Sequence, residues 1–257
     1  MTAPRLPHPP QPARPAMARP AAAGLLLAAA LLAGCQGGPP APDWQVNAVG
    51  HLERFTQAYL RGQARVAARE FTLAREETAR TGRPELVARV ELTRCALQVA
   101  SLVFDPCTGF APLRADAPGP EQAYADYIAG QASAAQAALL PPQHRALAAS
   151  AAPPGLAALQ AVTDPAALLI AAGVLMRQGR LPPGGAALAA DTASRQGWRR
   201  PLLAWLGVQA RLADDSGQAE EAARLRRRMD LVAPAAPTVP ASAPAVPASA
   251  PASRPAP

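Results

Sequence analysis

Apolar residues recur after Trp44 at intervals of three or four positions, which is the spacing of one face of an α-helix. The residues on this face are Ala48, Leu52, Phe55 and Tyr59. Gly62 follows them, and a glycine at this place commonly ends a helix. The pattern therefore predicts a first helix from Trp44 to about Gly62.

The same periodicity predicts two more helices before residue 105. One of them ends near Gly82. Its apolar side is made of Ala67, Phe71, Ala74 and Thr78. The next helix runs from about Pro84 to Phe104, because proline suits the first turn of a helix. Its last stretch, from Cys95 to Phe104, is apolar nearly all round and is expected to be buried.

Residues 105–120 are rich in turn formers and predict a break, after which helical patterns resume. Thr163 or Asp164 is the expected cap of a helix that opens at Pro165. The other expected helices cover 120–140, 143–150, 185–196, 201–213 and 217–232. No segment alternates apolar and polar residues as a half-buried strand does. We therefore predict an all-α fold of antiparallel helical hairpins over residues 44–232.

The N-terminal leader has an uninterrupted apolar run, Ala21 to Leu32, after Arg19. About a dozen apolar residues fall short of the roughly 20 that a membrane-spanning helix needs, so the run is typical of a secretory signal peptide. Residues 1–16 carry six prolines, which neither a signal peptide nor a helix tolerates well. Translation is therefore expected to start at Met17.

The run ends in Leu31-Leu32-Ala33-Gly34-Cys35, which resembles the lipobox of bacterial lipoproteins. The resemblance implies that residues 1–34 are removed and that Cys35 is lipidated and becomes the first residue of the mature chain. Gln36, rather than Asp, follows the cysteine. In that family this implies the periplasmic face of the outer membrane of a Gram-negative bacterium. Residues 35–43 are then a Gly/Pro tether between the lipid and the domain.

Residues 233–257 consist almost entirely of Pro, Ala and Ser. Such a segment cannot bury enough apolar side chain to offset the entropy of ordering, so a disordered, solvated tail is expected. We interpret it as a spacer. A ligand for proline-binding modules is the alternative.

All 25 basic residues are arginine, and the absence of lysine excludes a P-loop nucleotide site and Schiff-base catalysis. Removing the leader leaves 22 arginines against 18 carboxylates, a net charge of +4. A nucleic-acid role would need clustered positive charge and reading elements, and an exported protein is in the wrong compartment for it. Arg224 and the run Arg226 to Arg228 form the strongest cluster. We interpret them as a solvated helix end; anionic lipids or an acidic partner are the alternatives.

A short pattern occurs twice: Gly-Gln-Ala at Gly62 is followed by Ala67, and Gly-Gln-Ala at Gly217 is followed by Ala222. It resembles the tetratricopeptide repeat, in which a glycine separates two helices and small residues let them approach closely. Phe71 and Ala74 continue the first copy at the expected spacing. The second copy departs from the repeat pattern, because Arg226 stands where a large apolar residue is expected and Met229 where a small one is expected. The two copies lie 155 residues apart. The resemblance implies tetratricopeptide-like hairpins or an irregular α-solenoid; an ordinary Ala-rich helical domain remains the alternative.

Cys95 and Cys107 are the remaining cysteines, and an even count in an exported protein predicts a disulfide between them. Catalytic thiol chemistry is the alternative, and it would need His51 or His144 nearby. Neither histidine belongs to a recognisable motif. We expect no metal site, because no His/Cys/Asp/Glu set has ligand spacing. We also expect no catalytic residue or cofactor, because neither a Gly-x-Ser-x-Gly nor a Gly-x-Gly-x-x-Gly motif occurs.

The sequence thus predicts a membrane-anchored lipoprotein that binds a protein or peptide in an envelope assembly. The alternatives are an enzyme or accessory factor acting on cell-wall or lipid substrates and a structural spacer. Clustering of His51, His144 and carboxylates in one cleft would favour the enzyme. A continuous groove along the first helices of the hairpins would favour the binding protein.

Overall fold

A computed structural model describes residues 40–233, and within them the chain forms helices and no strand. The predicted all-α fold is confirmed. The ten α-helices are α1 (Asp43–Leu60), α2 (Ala64–Ala79), α3 (Pro84–Ala100), α4 (Gly119–Ile128), α5 (Pro142–Ala149), α6 (Leu156–Gln160), α7 (Pro165–Arg177), α8 (Gly185–Arg195), α9 (Arg199–Asp215) and α10 (Ala219–Val232). Two 3₁₀-helices cover Ala111–Asp116 and Ala134–Leu139.

The expected signal peptide, the expected start at Met17, the expected lipidation site Cys35 and the tail from residue 234 lie outside the described residues. The tether is described only from residue 40 onwards. No helix within residues 40–233 is both long enough and apolar enough to cross a membrane.

The third helix ends at Ala100 and not at Phe104. Leu102 has a φ of 59°, so its backbone is left-handed and cannot continue a right-handed helix. The amide of Val103 then donates to the carbonyl of Gln98 and closes the helix end. The apolar residues after Ala100 therefore belong to a loop, although Leu102 and Phe104 still pack against the core.

The continuous helical stretch expected from residue 120 to 140 is broken in two. α4 ends at Ile128, and Gly130 follows with a φ of 74°. Ser133 and Gln136 then form a capping box that starts the 3₁₀-helix Ala134–Leu139. The sequence pattern also missed α6 and the 3₁₀-helix inside the predicted break, since both are too short to show a periodicity.

Asp164 and not Thr163 caps α7, because its Oδ1 accepts a hydrogen bond of 2.7 Å from the amide of Ala167. Pro165 fills the first position of that helix. This hydrogen bond satisfies the Ala167 amide and stabilises the start of α7, which is the most apolar helix in the described part of the chain.

Both glycines of the repeated pattern lie in turns between packed antiparallel helices. Gly62 joins α1 to α2 and Gly217 joins α9 to α10, with φ values of 74° and 70° that a residue with a side chain rarely adopts. The small residues that follow are buried where the helices meet: Ala67, Ala74 and Ala222. Phe71 is half-buried and packs on Phe55, with ring centroids 5.3 Å apart. Membership of the tetratricopeptide family stays a prediction.

The centre of the domain is the packing of α3 against α7, the two helices with the most buried residues. Gly173 of α7 lies directly against the backbone of Val99 in α3. Ala96, Ala100, Ala171 and Ala172 are also buried on these helices. Small side chains at the crossing allow the two backbones to come unusually close.

α9 connects the C-terminal helices to both the first hairpin and the centre. Arg200 Nε donates to the carbonyl of Tyr59 at 2.9 Å, and its guanidinium lies 4.4 Å from the centroid of the Tyr59 ring. Trp205 is fully buried, and its Nε1 donates to the carbonyl of Ala100 at 3.1 Å. The first and last hairpins are therefore held in one unit.

The predicted disulfide between Cys95 and Cys107 is present, with the two Cα atoms 5.7 Å apart. It ties the C-terminal half of α3 to the segment before the first 3₁₀-helix. Closing a loop of this length stabilises a domain by about 3 kcal/mol in the chain-entropy model.

Candidate functional site

A groove runs over the outer face of α3, between α1 on one side and the start of α4 with residues 139–145 on the other. Its floor is Leu86, Arg89, Val90 and Thr93, which recur at three- and four-residue steps and so share one face of α3. The groove consists of three adjoining cavities. Arg89 and Thr93 each line two of them, so the cavities adjoin along α3.

The α1 wall of the groove is mainly apolar. Trp44, Val49 and Leu52 line a cavity of about 370 Å³, and Val49 and Leu52 continue into a second of about 440 Å³. Val49 is 53% exposed. An exposed apolar side chain inside a concave surface indicates a place where a partner can remove apolar area from water.

The opposite end of the groove, which we call the α4 cavity, has a volume of about 380 Å³. Its apolar lining residues are Leu92, Pro120, Tyr124, Leu139, Leu140 and Pro141. Leu139 is 46% exposed although it ends a 3₁₀-helix in which Ala137 is buried. Thr93 and three charged side chains complete the lining: Arg89, Glu121 and Arg145.

Glu121 stands in the first turn of α4, where the helix dipole favours a negative charge. Its Oε1 accepts a hydrogen bond of 2.6 Å from Nε of Arg89. The side chain is only 10% exposed, and Oε2 is buried with no hydrogen-bond partner among the described residues. A buried acceptor without a donor is unfavourable by about 1–3 kcal/mol, and the Arg89 hydrogen bond to the other oxygen offsets part of this cost.

Arg145 lies at the rim of the same cavity. Its Nε donates to the carbonyl of Leu140 at 2.7 Å, which restrains the guanidinium group. Arg145 is exposed. The lining of the cavity thus includes an exposed positive charge.

A buried aromatic cluster packs against Tyr124, which lines the α4 cavity. Tyr127 and Nδ1 of His144 are hydrogen-bonded at 3.2 Å, with ring centroids 4.9 Å apart, and Tyr124 packs on His144. Burial lowers the pKa of His144 to about 4, with a smaller opposing effect from Asp164. Burial raises the pKa of Tyr124 and of Tyr127. At neutral pH the imidazole is therefore uncharged and can accept the Tyr127 hydroxyl proton in a hydrogen bond.

The lowered pKa of His144 leads to a prediction about the stability of the fold at acidic pH. In the unfolded chain the imidazole titrates near 6.5, whereas in the fold it stays neutral down to about pH 4. The unfolded state thus binds the proton first, and the free energy of unfolding should fall as the pH falls from 6.5 to 4. Urea unfolding at several pH values gives the free energy of unfolding as a function of pH. Between pH 6.5 and 4 this free energy should fall less steeply for His144→Gln than for the unaltered chain. Equal slopes would contradict the lowered pKa of His144.

The two histidines singled out in the sequence do not come together. His51 Nδ1 lies 2.7 Å from a carboxylate oxygen of Glu70 and near Arg54, between α1 and α2, and the pKa of Glu70 is lowered chiefly by the hydrogen bond to His51. His144 is 1% exposed and lies behind the α4 cavity. Neither histidine lines the groove. Within residues 40–233 no group of three or more His, Cys, Asp or Glu side chains is arranged to hold a metal ion.

The arginines of α10 are spread around the helix end. Arg224 pairs with Glu221, and Arg226 pairs with Asp214 of α9. The Arg226–Asp214 pair joins the two helices of the last hairpin at the surface.

The sequence did not identify Arg89 and Glu121 as residues of the groove. Arg89 and Glu121 are 32 positions apart, and only the packing of α3 on α4 brings them together. One local signal was present: Glu121, Tyr124 and Tyr127 follow one another at three-residue steps, and two of the three tyrosines of the chain are among them. That spacing places an acid and two aromatics on neighbouring parts of one helical face.

No protein-family model, curated protein or solved structure matches this chain.

Proposed function

We propose that the protein is a lipid-anchored periplasmic binding protein of the outer membrane whose helical domain holds a protein or peptide partner in the groove over α3. The observation that carries the binding function is the row of three adjoining cavities along α3, whose lining combines exposed apolar side chains with charged ones. The anchor is supported by the lipobox-like sequence before Cys35.

The shape of the groove favours an extended or helical segment over a compact small molecule. The three cavities share lining residues along α3, and α1 supplies one wall over four turns, from Trp44 to Gln57. A peptide segment could bury its apolar side chains in successive cavities while its polar groups meet the rim. A cluster of both histidines with carboxylates would favour an enzyme, whereas a groove would favour a binding protein. The proposal rests on the groove.

The groove also identifies which residues of α1 to alter. Arg54 points to Glu70 on the α2 side of the helix, whereas Val49 lies in the groove. Val66 on α2 is 49% exposed, nearly as much as Val49, and lines none of the three cavities. It is therefore a matched control for a charge introduced at an exposed valine.

We expect Val49→Asp to remove the partners that co-purify with the lipidated chain after crosslinking in cells, because a carboxylate would have to be desolvated in the complex. Val66→Asp should retain them. Leu139→Asp, with Leu212→Asp on α9 as its control, tests the other wall in the same way. Mass spectrometry of the crosslinked bands gives the readout.

Deletion of residues 234–257 should leave these partners bound. The binding-groove proposal fails if tail deletion alone abolishes every interaction while both groove substitutions leave the crosslinked bands unchanged. Far-UV circular dichroism of each variant shows that the domain remains folded.

A further inference from the structure

Four arginines gather at the turn between α1 and α2 and along the first half of α2. Three of them are exposed and the fourth, on α9, is half-buried. None of the four forms an ion pair with a carboxylate within residues 40–233. We call this set the arginine surface: Arg61, Arg65, Arg69 and Arg199. We propose that it docks on the anionic lipid headgroups of the membrane that carries the lipid anchor. This inference rests on the proposed function, because the anchor at Cys35 supplies the membrane.

Helical spacing and one tertiary contact bring the four side chains together. Arg61, Arg65 and Arg69 follow one another at four-residue steps. The last two therefore share one face of α2. Arg199 of α9 reaches the same turn, because its Nη2 donates to the carbonyl of Gly62 at 3.4 Å. Two segments that are far apart in the sequence thus place their positive charges at one end of the first hairpin.

The charges on α2 do not serve the stability of that helix. Arg65 stands in its first turn, where a positive charge opposes the helix dipole, and no acidic residue in that turn compensates it. The only carboxylate of α2 before residue 74 is Glu70, which lies against His51 and Arg54 of α1. The charges of Arg65 and Arg69 are therefore left to attract an anionic partner.

The shape of the arginine surface favours a flat partner over a peptide. Arg65 and Arg69 are exposed on the convex outer side of α2, opposite the buried Ala67 and Ala74, and they line none of the cavities of the groove. Val66 lies one helical turn before Arg69 and is 49% exposed. Arginines beside an exposed apolar side chain are typical of a helix that lies at the surface of an anionic bilayer.

The tether is long enough for this contact. Cys35 and Asp43, where α1 begins, are eight positions apart, and a chain of that length extends at most about 29 Å. The 18 residues of α1 span about 27 Å. Either end of the hairpin can therefore reach the membrane while the lipid stays inserted. The anchor also holds the domain at a high effective concentration near the headgroups, so individually weak contacts suffice.

Docking through α2 leaves the groove accessible. Arg54 extends from α1 to Glu70 on α2, whereas Val49 of α1 lines the groove. α1 thus stands between the arginine surface and the groove. A partner can occupy the groove while α2 contacts the membrane.

Arginine labelling of the whole lipidated chain measures this contact. The chain is purified from membranes and reconstituted in vesicles of phosphatidylcholine alone or of phosphatidylcholine with phosphatidylglycerol. Phenylglyoxal modifies accessible guanidinium groups, and mass spectrometry of the peptides gives the rate at each arginine. In the anionic vesicles the four arginines of the surface should react roughly 5-fold more slowly than in the neutral ones, the factor expected for one arginine at an anionic membrane. High salt should remove this protection.

Arg211 on α9 and Arg227 on α10 are internal controls for the labelling. Both are exposed and, like the arginine surface, form no ion pair within residues 40–233. Their labelling rates should be equal in the two kinds of vesicle.

A double variant assigns the protection to the charges on α2. Arg65→Gln with Arg69→Gln should abolish the protection of Arg61 and Arg199, which remain as reporters. The matched double variant, Arg211→Gln with Arg227→Gln, should retain it. All four exchanged arginines are exposed, and far-UV circular dichroism shows that each variant remains folded.

Two exposed valines separate the membrane contact from the groove. Val66→Asp should weaken the protection, because anionic headgroups repel a carboxylate. Val49→Asp places the same charge in the groove and should leave the protection unchanged. Their expected effects on partner crosslinking are the reverse.

Equal labelling rates in neutral and anionic vesicles would overturn the membrane contact, and so would protection that persists in the Arg65→Gln and Arg69→Gln double variant. Protection in isolated cell envelopes but not in anionic vesicles of lipid alone would also overturn it, since the partner would then be an acidic protein.

Flotation of the vesicles at high salt tests the anchor separately, because salt screens the headgroup contact but does not release an inserted lipid. A chain that stays with the vesicles but shows no protection has the anchor and lacks the docking surface. A chain that is lost at high salt but protected at low salt has the docking surface and lacks the anchor. Absence of both effects overturns both. Loss of crosslinked partners from Val49→Asp tests the groove, whatever the labelling shows.

Discussion

Replacing Gly173 by alanine should lower the free energy of unfolding by about 3 kcal/mol. A Cβ at this position would lie 2.9 Å from the carbonyl carbon of Val99 and closer still to its oxygen. Both obstructing atoms belong to the backbone of α3, which the packing of the core holds in place. The added methyl group must therefore push α3 and α7 apart along the most buried contact of the domain.

Gly207 on α9 is the matched control for this substitution. It also lies inside a helix, but an added Cβ there would meet only Cε of Met229, at 3.8 Å, which is an ordinary contact. Gly207→Ala should therefore raise stability by about 0.5–1 kcal/mol, as alanine does in a helix interior. Urea unfolding followed by far-UV circular dichroism measures both variants. If Gly173→Ala lowered the free energy of unfolding by less than about 1 kcal/mol, α3 and α7 could move apart at their crossing without the expected cost.

The helices were predictable because their signals are local. α1, α2 and α7 each show an apolar periodicity with a glycine after the helix or a proline at its start, and these are properties of neighbouring residues. The end of α3 was not predictable in the same way. Leu102 takes a left-handed backbone conformation that its own side chain disfavours, so packing and not local preference sets that boundary.

The close crossing of α3 and α7 was also invisible in the sequence. Gly173 sits inside an apolar run in which glycine and alanine look alike, and only the position of Val99 makes the absence of a Cβ necessary. Glu91 is a similar case. It is buried on α3 between Arg75 and Arg94, although no local pattern distinguishes it from a surface glutamate.

The disulfide was predictable from the number of cysteines and the expected export, because Cys35 is the expected lipidation site and only two other cysteines remain. The candidate site was not. Its floor and its two walls come mainly from four separate segments, namely α1, α3, the start of α4 and residues 139–145, and the Arg89–Glu121 contact joins two of them. The sequence could indicate that a groove would favour a binding protein, but the residues that line the groove are neighbours only in the fold.

Trp205→Ala should be the other strongly destabilising substitution, with a loss of about 3–5 kcal/mol. Trp205 is the largest of the fully buried side chains within residues 40–233, and its removal leaves a cavity where α9 meets α3. It also removes the indole donor from the carbonyl of Ala100, which lies in the last turn of α3 and has no partner within that helix.

Trp205→Phe separates these two contributions, because phenylalanine fills most of the space but cannot donate the hydrogen bond. We expect it to lose about 1–3 kcal/mol, the cost of an unsatisfied buried carbonyl together with a small void. Trp44→Ala is the control, since Trp44 is half-buried in the groove wall and should cost little stability. Urea unfolding should give the lowest free energy of unfolding for Trp205→Ala, an intermediate value for Trp205→Phe and the highest of the three for Trp44→Ala. If Trp205→Ala were no less stable than Trp44→Ala, α9 could not be the element that joins the last hairpin to the centre of the domain.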